Sequence, residues 1–151
     1  LLAGYGIAFA AVAAVQGAIV AGVSFLLLGL DVAGSELAVV ALAVLNAVLG
    51  MALGLLASAF ARTEFQAVQF MPAFIFPQLL LCGLFVPRAQ MAPALEALSW
   101  ALPMTYAYDA LERVTVNGEL GSRGIIDVIV VIAAALLSLA LAALTLRRRT
   151  P

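Results

Sequence analysis

The 151 residues are 66% hydrophobic and only 10% charged, with a formal net charge of −1 and a mean hydropathy of +1.22. Soluble domains are roughly 45–50% apolar and about 25% charged, so this is the composition of an integral membrane protein. Seven arginines and eight acids sit at the ends of apolar runs, which leaves no basic face for nucleic acid, and the absence of lysine and histidine excludes a phosphate-loop lysine, a histidine general base and a histidine metal site.

A hydrocarbon core about 30 Å thick takes roughly 20 helical residues, and four segments meet that length: residues 1–30, 37–61, 65–86 and 125–146. Leu1 already lies inside an apolar run with no charged segment before it, as expected of an excerpt from a longer protein rather than a signal peptide. The second segment places Asn46, Gly50, Gly54 and Ser58 four residues apart on one helical face, with Gly50 and Gly54 forming a GxxxG. Small residues at that spacing let another helix approach closely, so this face is expected to pack against a helix or a second subunit. The turn Arg62-Thr63-Glu64 follows and offers Arg62 and Glu64 as a contact for a cytoplasmic partner.

The third segment carries Pro72 and Pro77 inside the run and closes on Gly83 and Pro87. In water an interior proline costs roughly 3 kcal/mol, whereas packed membrane helices can satisfy the freed carbonyls, so a kinked span is expected, with Gln69 and Gln78 supplying amides at the kinks. Cys82 is the one cysteine, cannot form an internal disulfide, and reads as a small buried hydrophobe.

Residues 87–124 are too polar and too broken to cross. Pro93 suits a first helical turn, Trp100 is an interfacial residue type, Pro103 ends that helix, and Thr105 is the expected N-cap of a second with Tyr108, Leu111 and Val114 as its apolar edge. Asp109 and Arg113 are spaced as an i, i+4 surface pair, and Asn117-Gly118 and Gly121 mark turns. The expected form is an amphipathic hairpin over residues 93–117, lying in the outer leaflet. Arg62 and Arg147-Arg148-Arg149 belong on the cytoplasmic side, so the chain is expected to be an all-α multi-pass protein of four transmembrane helices plus that hairpin, with both ends cytoplasmic.

No span interior holds an acid or base, which argues against an ion-coupled carrier. The serines have no histidine or lysine partner for nucleophilic catalysis. Four apolar helices are too few to enclose a sizeable polar path, so a second such domain is expected. A non-transporting membrane scaffold or assembly protein would show the same small-residue faces and uncharged spans.

Leu81-Cys82-Gly83-Leu84-Phe85-Val86-Pro87 and Pro103-Met104-Thr105-Tyr106 resemble, in order and spacing, two elements of the C-terminal half of ABC-2 type transporter permease subunits. The resemblance is most specific over residues 62–114. It implies that the four spans correspond to the third to sixth of a six-span domain in the cell membrane. It further implies a paired permease domain and a separate ABC ATPase subunit, which would bind ATP and magnesium while this chain holds no cofactor. The cargo would be a drug, lipid or polysaccharide. Pro72, Pro77, Gly83, Pro87, Pro103 and Tyr106 would then belong to the rising span and the outer gate.

Overall fold

The computed structural model describes residues 2–61 and 63–147. The expectations placed on Arg62 and on the side chains of Arg147, Arg148 and Arg149 fall outside that description. The described chain forms α1 (Leu2–Leu26), α2 (Glu36–Phe60), α3 (Glu64–Leu81), α4 (Pro93–Ser99), α5 (Pro103–Glu112) and α6 (Gly121–Arg147), with a 3-10 turn at Arg88–Gln90 and a π-helical turn at Arg113–Asn117. No strand occurs among the described residues.

Local chemistry sets the ends. The hydroxyl of Ser35 accepts from the Ala38 amide ahead of α2, and that of Thr63 accepts from the Gln66 amide ahead of α3, each satisfying a donor that the first turn leaves free. Gly29 follows α1 with φ +63° and Gly83 follows α3 with φ +107°, conformations that disfavour any side chain. Both helices therefore stop before their apolar runs do, α1 at Leu26 rather than near residue 30 and α3 at Leu81 rather than 86. In contrast, α6 starts at Gly121, a turn earlier than its apolar run, because a helix continues into polar residues at the water boundary.

Among the described residues, three helical stretches are long and apolar enough to cross a membrane: Gly6–Leu26, Glu36–Phe60 and Gly121–Thr145. The 18 residues of α3 rise about 27 Å, and Glu64, three glutamines and two prolines dilute its apolar surface. Length and hydropathy thus mark three crossings where the sequence suggested four. Pro72 and Pro77 both lie within the continuous α3 helix.

Helix α2 is central and packs against α1, α3, α5 and α6. The core has two levels: Leu49, Ala52 and Leu53 meet Ala107, Val131 and Ala135 half-way along α2 and α6, while Val39 and Leu42 meet Ala110 and Val114 nearer the N-terminal end of α2. The α5 helix is therefore wedged between α2 and α6 rather than laid on the surface. Its buried edge is Ala107, Ala110 and Val114, with Tyr108 and Leu111 only partly buried; two alanines on that edge are what lets it come so close.

Two glycines fix the helix spacings. A Cβ on Gly17 of α1 would lie 2.9 Å from the Ala43 carbonyl oxygen and the Val44 Cα of α2. In the α1–α2 connection, a Cβ on Gly34 would lie 2.6 Å from the carbonyl oxygens of Val114 and Gly118, and the Ala33 amide donates to the Thr115 carbonyl at 3.0 Å. That connection is thereby seated on the π-helical turn.

Candidate functional site

The hairpin corner forms first, from hydroxyls that close local turns. Pro103 occupies the first turn of α5, where its missing amide hydrogen costs nothing. Thr105 is not the N-cap, a place taken by Leu102; fully buried, its hydroxyl instead donates 2.6 Å to the Ser99 carbonyl at the end of α4. The Ser99 hydroxyl donates to the Glu96 carbonyl at 2.7 Å and the Tyr106 hydroxyl to the Trp100 carbonyl at 2.7 Å. The rings of Trp100 and Tyr106 meet edge to face with centroids 6.2 Å apart.

Arg88 ties this corner to the end of α3. One terminal nitrogen donates to Asp109 Oδ2 at 2.7 Å, the other reaches the Cys82 carbonyl at 3.5 Å, and the guanidinium carbon stands 4.6 Å from the Trp100 ring centre. Asp109 is 7% exposed and Arg88 19%, so the pair is largely desolvated, and the cation–π contact adds to it. Arg113 Nε lies 3.4 Å from Asp127 Oδ2, an ion pair in which neither atom achieves hydrogen-bond geometry. The expected Asp109–Arg113 surface pair is thus replaced by two pairs between elements: Asp109 turns to Arg88 and Arg113 to α6. A polar recess of about 220 Å³ joins them, lined by Arg88, Asp109, Glu112 and Arg113 among others. Next to it, burial above all, then the Glu112 carboxylate and more weakly Cys82 and Asp109, push the Tyr108 phenol above its ordinary value near 10, so it remains a neutral hydroxyl at physiological pH.

Beside this cluster, a cavity of about 370 Å³ opens between α2, α3 and α5, its wall including Asn46, Leu49, Gly50, Gln78 and Tyr108. Gln78 is 3% exposed. Its amide nitrogen donates to the Phe74 carbonyl at 3.2 Å, which is not the Ala73 carbonyl that Pro77 leaves unbonded four residues back, and its oxygen is buried without a protein donor. An unsatisfied buried acceptor of this kind costs about 1–3 kcal/mol. Gln69 is exposed. A second, wider groove of about 560 Å³ runs between α1 and α2 and also touches Asn46 and Gly50.

The four-residue face of α2 is consequently divided. Asn46 and Gly50 border open volume, Gly54 is buried with Met71 of α3 3.0 Å from where its Cβ would stand, and Ser58 is exposed. Gly83 closes α3 and lies against the Tyr108 ring, Pro87 precedes the Arg88 turn, and Glu64 is exposed at the start of α3. Sequence reasoning missed Arg88 and Gly17. Nothing near either position marks it, because the ion-pair partner of Arg88, Asp109, lies 21 residues away and the backbone that Gly17 meets, at Ala43 and Val44, belongs to the next helix.

The family model of the ABC-2 type transporter matches residues 1–115. The chain belongs to the ABC-2 type transporter family. No curated protein and no solved structure is significantly similar to it. The matched span runs from α1 through α5 into the π-helical turn, so it takes in the hairpin corner, Arg88, Asp109 and the cavity wall. As an ABC-2 membrane domain the chain is a transporter permease, and its apolar helices place it in a membrane.

Proposed function

We propose that this permease forms half of the translocation path of an exporter for an amphiphilic cargo, powered by a separate ABC ATPase subunit and completed by a second permease domain. The observation that carries the reading is the juxtaposition of a charge-free cavity between α2, α3 and α5 with an ion-paired corner directly beside it. In this reading α3 is a fourth, short crossing completed by its neighbours, both chain ends are cytoplasmic, and the α3–α4–α5 corner is the outer gate. Pro72 and Pro77 leave α3 with fewer internal hydrogen bonds than a regular helix, which makes it the element that bends when the ATPase subunits close and the attached helices tilt. The Arg88 link from Cys82 to Asp109 then holds the gate shut until α3 moves.

The test is reconstitution of the full-length protein in nanodiscs and vesicles. Co-purification with an ATP-binding subunit, a rise in its ATP turnover and ATP-dependent cargo movement are expected. A stable complex that moves cargo with no ATPase present would overturn the proposal, and ATPase association without movement would favour a scaffold or assembly role.

A further inference from the structure

We propose that the cavity between α2, α3 and α5 binds an uncharged, single-bodied lipophile that carries a hydrogen-bond donor, a hydroxyl or amide N–H, and that this is the class of cargo; the cargo assignment rests on the exporter reading, whereas the binding does not. No residue of the cavity wall is charged. An ion entering it would lose its hydration without gaining a counter-charge, which excludes charged headgroups and quaternary ammonium compounds from its interior. The polar groups on the wall are few: Asn46, Gln78, Cys82 and the neutral Tyr108. Among them Gln78 sets the requirement, because one of its two amide hydrogens is given to Phe74 while its buried oxygen accepts nothing from the protein. That unpartnered acceptor is complemented by a hydrogen-bond donor on the ligand.

Size narrows the class again. About 370 Å³ falls at the low end of small-molecule sites, which run from roughly 300 to 1,000 Å³, enough for one chain or a compact ring system and too little for a two-chain lipid. The space exists because Gly50 has no side chain and no atom lies within 4 Å of where its Cβ would stand. Gly50 is also exposed and borders the groove between α1 and α2 as well, so a lipophile already dissolved in the bilayer can reach this part of α2 from the side.

The experiment uses the full-length protein with its ATPase in nanodiscs and a photoreactive, diazirine-bearing dodecanol, with the matching dodecane and dodecyl-trimethylammonium as controls. Saturable labelling confined to peptides covering residues 46–53, 75–82 and 104–111 is expected for the alcohol alone. Gln78→Leu should reduce the preference for alcohol over alkane about tenfold, and Gly50→Leu should abolish saturable labelling, with Gly50→Ala giving a partial loss. Unfolding temperature measured alongside guards against misfolding. Labelling that never saturates, an alkane bound as tightly as the alcohol, or undiminished binding in Gly50→Leu would each overturn the site, even if ATP-driven transport is intact. Saturable binding of an alcohol that the active complex never exports would overturn the cargo assignment alone.

Discussion

Arg88 makes three contacts with one planar group: a carboxylate, a helix-terminal carbonyl and an indole face. Lysine has neither the fork nor the flat surface to reproduce them. Removing one member of a buried ion pair costs about 3–5 kcal/mol, because the other is left charged without compensation. With Arg88 partly exposed, Asp109→Asn and Arg88→Ala are each expected near the lower end of that range, while the pair Arg88→Met with Asp109→Leu regains most of the loss. Thermal unfolding of the purified protein in nanodiscs reads this directly; additive losses in the double variant would show that the two side chains are not coupled. The pair was not legible in the sequence. Asp109 and Arg113 have the spacing of a helical surface pair, and only the placement of α5 inside the bundle sends each to a partner on another element.

At the scale of elements, helix spacing is controlled where backbone meets backbone. Gly17 faces the Ala43 carbonyl and Val44 Cα, main-chain atoms that cannot step aside, whereas Gly50 faces open space. Gly17→Ala is expected to destabilise by about 1–3 kcal/mol through overpacking. Gly50→Ala is expected to leave stability equal or higher, since glycine is about 1 kcal/mol less favourable than alanine within a helix. Unfolding temperatures in the reverse order would refute this assignment of the close contact. The sequence pointed to Gly50 and Gly54, because a GxxxG announces itself by spacing while Gly17 is one glycine in an alanine-rich helix. Helix identity was readable from apolar runs and caps such as Ser35 and Thr63. Helix ends at Leu26 and Leu81 were not, since hydropathy follows the lipid-facing surface and a positive φ is set by the turn that follows.

For the whole molecule, the open question of geometry is how many times the chain crosses, and α3 decides it. Ser99 is fully buried and so reports nothing to a labelling reagent, but Ser122 and Thr63 are exposed. Cys82 is itself buried, which keeps the background low. Single cysteines at Ser122 and Thr63 are expected to react with an impermeant maleimide from opposite faces of sealed vesicles. Reaction from one face only would rule out the four-crossing arrangement. The all-helical class and the presence of a helical hairpin after α3 were legible in composition, prolines and turn glycines. Insertion of α5 between α2 and α6 was not, because within the helix its apolar contact edge is Ala107 and Ala110, and alanines carry little amphipathic signal.

The paired side chains Arg88, Asp109, Arg113 and Asp127 sum to zero charge. A lone charge carried through the full membrane potential exchanges about 2.3 kcal/mol per 100 mV, and that would tie any rearrangement of the corner to the electrical state of the cell. Two arginines travelling with two aspartates exchange almost nothing. So long as both pairs stay closed, these four side chains can shift together within the field with almost no electrical work, so they give voltage no grip on when they move.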